Sequence, residues 1–240
     1  MAEKRRSRVL LRITIALAAS AVLGYLFVNS LETSRTEPYT VDRAHLGPWT
    51  LVLEPADGPT APLLSARGGS ELVASLFNQM FNRTMESMNR PAASSIPIVL
   101  HGEFDRGLAG RMKPDELLAA ARAAGLESAS HQPRCIAHRR ISEPGSTRQA
   151  YFAIMDSPAI VAFRAQLASS GTADFDAASL TPVMFVGTSD PAGRRWLPIR
   201  AGEADCVAPI QISEVQPQRG TVSWIAGRIR LHHGRIHPAA

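Results

Sequence analysis

The strongest constraint on this chain lies at its start. The first 30 residues read MAEKRRSRVLLRITIALAASAVLGYLFVNS. A basic cluster precedes an apolar run from Val9 to Val28, broken only by Arg12 and small hydroxyl residues. A helix rising 1.5 Å per residue needs about 20 such positions to cross the hydrocarbon core of a bilayer. Arg12 lies near the basic end, where its long stem reaches back to the headgroups. Tyr25 near the far end suits an interfacial aromatic. The competing reading is a cleaved signal peptide, because Ala19-Ser20-Ala21 has the small-x-small pattern of a cleavage site. Against it, the apolar run continues through Val22, Leu23, Leu26, Phe27 and Val28. A buried globular helix is the third reading.

An anchor of this kind sets the layout. Residues 1–8 are expected to form a cytoplasmic basic tail and residues 9–28 a transmembrane signal-anchor. Residues 29–48, which contain Pro38 and Pro48, form a linker, and residues 49–240 an extracytoplasmic α+β domain. The positive-inside rule keeps the basic cluster in the cytoplasm. The protein is therefore expected in the inner membrane, single-pass, with its C-terminal domain periplasmic or extracellular. Its first partner is the lipid bilayer, through residues 9–28.

Charge excludes one tempting class. The net charge is +5. Lys4, Arg5, Arg6, Arg8 and Arg12 against Glu3 place +4 of it in the leader. Little is left for a basic face that would displace counterions from a duplex, so no nucleic-acid partner is expected. After Glu214 the chain is again basic, with Arg219, Arg228, Arg230 and Arg235. That segment reads as a solvated tail.

The domain divides at its punctuation. WTLVLEP (49–55) reads as a strand, and ADGPTAPLLSARGG as loop. From Ser70 to Asn89, apolar residues recur at three- and four-residue spacing, a helix with one broad apolar stripe. SIPIVLH (95–101) reads as a strand and KPDELLAAARAAGL (113–126) as a helix with Pro114 in its first turn. PRCIAHRRIS and TRQAYFAIMD read as two strands around the Glu143-Pro144-Gly145-Ser146 turn. SPAIVAFRAQLASSG (157–171) reads as a helix capped by Ser157, and TPVMFVGTS (181–189) as a strand. This β-α-β-β-α-β order predicts a ferredoxin-like, split β-α-β, two-layer core over about 95–189. An extra N-terminal β-α unit and C-terminal strands, CVAPIQI and TVSWIAGRIRLH, flank it. An anchor followed by such a domain is similar in layout to accessory subunits of bacterial secretion and pilus assembly machines. Those usually place a long coiled coil after the anchor, and here there are no heptads.

Catalytic signatures are sparse. There is no G-x-S-x-G, H-E-x-x-H, P-loop, G-x-G-x-x-G or C-x-x-C, and nothing calls for a cofactor. The best acid–base candidates are His101, Glu103 and Asp105, at a strand exit. They imply, as an alternative, an anchored hydrolase or ligand-binding enzyme. His232, His233 and His237 are weak metal candidates. The Asp174/Asp176 pair is read as a solvated loop. Cys135 and Cys206 are the two cysteines, and an oxidising compartment makes them disulfide candidates beside the alternative of two buried thiols. Period-two alternation predicts Cys135 facing the helices, and His138, Arg140, Gln149 and Tyr151 on an open face that serves as a docking surface. The resulting expectation is a non-enzymatic accessory or interaction subunit of an envelope or membrane complex, with a protein partner.

Overall fold

A computed structural model describes residues 2–143, 146–170, 174–190 and 200–214. The chain begins with helix α1 (Ala2–Thr36). Its apolar side chains from Ile13 to Val28 are exposed around the whole circumference. Among the described residues it is the one helix long and apolar enough to cross a bilayer, over Ile13–Ser30. At 1.5 Å per residue that span measures about 27 Å. It fits a membrane anchor or a signal sequence.

The rest is a mixed α/β fold. Strands β1 (Tyr39–Asp42), β2 (Thr50–Leu53) and β3 (Pro62–Arg67) are followed by α2 (Ser70–Thr84) and β4 (Ser95–Leu100). Helices α3 (His101–Gly107) and α4 (Pro114–Ala123) lead to the long hairpin β5 (Gln132–Glu143) and β6 (Ser146–Asp156). Then come α5 (Pro158–Ser170), β7 (Val183–Thr188) and β8 (Cys206–Ser213). Hydrogen bonds order five strands as β1-β8-β5-β6-β7 and three as β2-β3-β4. β4 runs beside β7, so the two ladders continue into one curled sheet.

This order corrects the ferredoxin-like expectation. A split β-α-β unit needs β6 between β4 and β5, bonded to both. Here β6 bonds β5 on one edge and β7 on the other, in antiparallel register from Ala150↔Thr188 to Ile154↔Val183. β4 bonds β3 instead, an antiparallel partner that the expected core did not contain. β3 lies in the stretch read as loop. Its first five residues are all buried, so it shows no alternation, and the neighbouring glycines and prolines hid it.

The expected linker is also corrected. Only Glu37 and Pro38 separate α1 from β1. Arg83, in the last turn of α2, donates to both of their carbonyls, that of Pro38 at 2.9 Å. Its guanidinium lies 4.0 Å from the centroid of the Tyr39 ring, a cation–π contact. Burial raises the Tyr39 pKa, with Arg83 opposing. Gln79, one helical turn earlier, donates to Thr40 O (2.7 Å) and accepts from Thr40 N (2.9 Å). Its amide thus stands in for the missing neighbour of the edge strand β1. At the opposite edge, Glu127 accepts from Leu51 N of β2 (2.9 Å).

The main core gathers Leu72, Leu76 and Met80 of α2, Leu117 of α4, Ile160 and Phe163 of α5, and Ile136, Tyr151 and Met155 of the hairpin. α2 approaches β7 so closely that a Cβ at Gly187 would stand 2.9 Å from Met80 Cε and 3.3 Å from Phe77 Cε2. Cys135, Ala137, Phe152, Ile154 and Phe185 form a second cluster on the other face. Cys135 is bonded to Cys206, linking β5 to its neighbour β8 across 71 residues of sequence. In the chain-entropy picture such a loop constrains the unfolded state by about 4 kcal/mol. Cys135→Ser with Cys206→Ser is therefore expected to lower the unfolding free energy by up to about 4 kcal/mol. Denaturant titration of the detergent-solubilised chain checks this, and an unchanged midpoint would contradict it.

Candidate functional site

The three acid–base candidates fall on α3, where a strand exit was expected. Successive helical residues turn by about 100°, so His101 and Glu103 leave the helix on different sides. His101 Nε2 lies 3.1 Å from the Glu54 carbonyl, and Asp105 is exposed. Glu103 is buried, only 6% exposed. The three side chains therefore do not converge on one point.

Glu103 meets a residue that sequence reading passed over. Arg164, in the middle of α5, is 1% exposed. Its Nη2 donates to Glu103 Oε1 at 2.8 Å and its Nη1 to Oε2 at 3.1 Å, a bidentate pair. The remaining donors reach main-chain carbonyls: Nη1 to Ile98 (2.7 Å), Nη2 to Asp176 (2.9 Å) and Nε to Ala177 (3.0 Å). Ser179 donates its hydroxyl to Glu103 Oε1 and accepts from Arg164 Nη2 at 3.0 Å. Glu103 Oε2 also accepts from Leu100 N at 2.9 Å, capping α3. The Phe175 ring lies 5.1 Å from the guanidinium. Gly107 lets α3 close on that side, where a Cβ would stand 2.6 Å from Phe175 Cβ. Every arginine nitrogen and both carboxylate oxygens have partners. The arrangement ties β4, α3, α5 and the 175–179 segment together.

A second buried pair has the composition of nucleophile and base. His131 Nδ1 lies 2.6 Å from Ser157 Oγ, and both residues are 2% exposed. His131 Nε2 is committed to the Leu126 carbonyl at 2.9 Å, so the neutral ring donates there and accepts from Ser157. Trp49 packs edge-on at 5.6 Å. Both His131 ring nitrogens are taken, and among the described residues no carboxylate bonds this ring. Burial lowers the His131 pKa below its ordinary 6.5, with the Leu126 hydrogen bond opposing.

The four docking candidates do come together, as two cross-strand pairs. His138 stacks on Tyr151 with centroids 4.3 Å apart, and Arg140 Nη2 donates to Gln149 Oε1 at 2.9 Å. The expected orientation is reversed, however. Tyr151 belongs to the main core, on the helix side, and Gln149 donates to Glu86 beyond α2 at 3.2 Å. Cys135 faces the second cluster. Both faces of the hairpin carry apolar residues, so alternation separates them without saying which one the helices cover.

A cleft of about 580 Å³ opens between the end of β6, α5 and the 201–206 segment. Ile154, Val161, Pro182, Ala201 and Cys206 line it, and the Arg134–Glu203 ion pair stands at its rim. Asp205 pairs with Arg139 at 3.2 Å. The Gly202 N–H holds its carboxyl below the usual range, burial opposing and Arg139 assisting. Of the carboxylates read as a solvated loop, Asp174 is exposed. Asp176 accepts from Ala178 N at 2.9 Å and pairs with Arg200 at 2.7 Å. Among the described residues no group of three His, Cys, Asp or Glu side chains is placed to hold a metal. His232, His233 and His237, and the expected strand TVSWIAGRIRLH, lie outside the described residues.

Two outcomes are expected. Arg164→Met strands a buried carboxylate and three carbonyls and costs about 3–5 kcal/mol, whereas Glu103→Gln keeps one of the two acceptor oxygens and leaves Arg164 its main-chain carbonyls, and costs less. Denaturant titration ranks the two. The depressed His131 pKa means that the unfolded chain takes up the proton first. Its contribution to stability is thus full above about pH 6.5 and is lost as pH falls through the lower folded value. His131→Gln is expected to flatten the decline in unfolding midpoint between pH 7 and 5.

Comparison with protein-family models, with curated proteins and with solved structures finds no match.

Proposed function

We propose that this chain is a single-pass envelope protein whose domain, held across the membrane by α1, acts as a non-enzymatic accessory or interaction subunit of a membrane complex. The observation that carries the reading is the fully exposed apolar circumference of α1, joined to the domain through two residues and the Arg83 clamp. Water does not solvate such a helix favourably, and a bilayer does. The basic residues before it support an N-terminus in the cytoplasm and a domain on the periplasmic or outer side.

The arrangement of titratable groups supports binding over catalysis. The buried carboxylate, arginine and histidine are bonded to one another or to main chain. The cleft beside Cys206 offers mainly apolar walls, with Asp156 and the Arg134–Glu203 ion pair as its charged groups. The enzymatic alternative, with His101, Glu103 and Asp105, would first have to release Glu103 from Arg164. Metal handling by His232, His233 and His237 is the weaker alternative.

Full-length protein expressed in a bacterial host tests this reading. It is expected to resist alkaline carbonate extraction, to keep its N-terminal methionine or the residue that follows, and to expose its domain to protease from the outer side only. Crosslinking in native membranes is expected to give a discrete adduct. An N-terminus beginning at Val22 would establish the cleaved-signal reading instead. Failure to recover any crosslinked partner from either the full chain or its ectodomain would remove the accessory role.

A further inference from the structure

Among the described residues, most exposed large apolar side chains lie on α1, where the anchored reading accounts for them. Of the few elsewhere, two sit together at the C-terminal end of α2. Phe77, Phe81 and Met85 follow one another at four-residue spacing, so they descend one side of the helix. Exposure rises along that line. Phe77 packs against Gly187 and the main core, Phe81 is 40% exposed and Met85 is 71% exposed. Phe77 and Phe81 stack with centroids 6.4 Å apart.

Met85 is unusual in a second way. It closes α2 with φ at 55°, in the left-handed region, the one non-glycine residue there among those described. Glycine or asparagine is the usual choice at this position. A methionine adopts it at a conformational cost, and its exposed side chain recovers little packing from the domain.

The end of α2 is also the part of the helix tied to α1. Arg83, two residues from Phe81 and so turned about 200° from it around the helix, bonds the carbonyls of Glu37 and Pro38, which follow α1 directly. Six residues, Leu31 to Thr36, separate the candidate span from the end of α1. From Ile13 to Thr36 the helix measures about 36 Å, about 6 Å more than a hydrocarbon core of roughly 30 Å, which brings its end into the headgroup layer. If α1 spans, the last turn of α2 stands at the membrane surface.

We propose that Phe81 and Met85 form a foot that enters the headgroup–acyl boundary beside α1, docking the domain on the lipid surface. The proposal rests on the anchored reading of α1. A flexible thioether and an aromatic ring on a helix end suit shallow burial among acyl chains. The Arg83 clamp then transmits the depth of the span to the domain without a free linker.

Site-specific fluorescence in nanodiscs of anionic and zwitterionic lipid tests the foot. Cys135 and Cys206, the two native cysteines, are bonded to each other, so an introduced thiol takes an NBD label alone. Met85→Cys and, as a second variant, Phe81→Cys are labelled in the full-length chain, with Ala119→Cys as reference. Ala119 is an exposed apolar residue on α4, outside the cleft. Blue-shifted emission at positions 85 and 81, quenched by brominated acyl chains, with aqueous emission at 119, is the expected result. Equal, unquenched emission at all three positions in a chain that resists carbonate extraction would overturn the foot alone. Release of the chain by carbonate would overturn the anchored reading and the foot with it.

Discussion

The Glu103–Arg164 pair is the interaction on which the arrangement of this domain depends. It joins the end of β4, the first turn of α3, the middle of α5 and the turn before β7. Two buried charges are costly to desolvate, and their attraction offsets that cost only when geometry and hydrogen bonding are complete. Here the guanidinium is bidentate to the carboxylate and its other donors reach three main-chain carbonyls. The same carboxylate caps α3, so one side chain serves a helix terminus and an ion pair. An apolar core could be packed without this pair, but it would lack a directional contact between those four segments.

The sheet edges are managed by side chains. Gln79 occupies both backbone groups of Thr40 on β1, and Glu127 takes a backbone donor of β2. Such caps hinder further strand pairing. α2 thereby has two roles, packing its apolar stripe into the core and holding β1 with Gln79 and Arg83. Since β1 follows α1 after two residues, the same helix fixes the domain to the candidate anchor. The disulfide adds a covalent tie between β8, the neighbour of β1, and β5 at the centre of the sheet.

Much of the secondary structure was legible from the residues. The spacing of Leu72, Leu76 and Met80 and the prolines that open α4 and α5 act within a few residues of where they are read. Three elements were missed, each for a physical reason. β1 pairs in parallel with β8, some 170 residues away, at Tyr39↔Ile210, and its four residues carry no local mark. β3 is buried on both faces and lacks alternation. α3 is seven residues long and is capped by Glu103 itself. The candidate site was legible in part. Glu103 stood out as a charge at a strand exit, but its partner Arg164, inside the helical stretch 157–171, was passed over. That His138, Arg140, Gln149 and Tyr151 share one face followed from alternation, while their pairing and the side of the sheet they occupy did not.

What the sequence determined alone was what depends on nearest neighbours: the apolar run with its basic flank, the amphipathic helices, the strands around a Pro-Gly turn, and the two cysteines available for one bridge. What only the tertiary structure decided was which of those elements meet. β6 took β7 rather than β4 as its second partner, Arg164 took Glu103 out of any solvent-facing role, and the hairpin turned its Tyr151 face toward the helices. Periodicity records how often a side chain is buried along its own strand or helix. It carries no term for the element that covers it, because that choice is made by burial and hydrogen bonding summed over residues far apart in the chain.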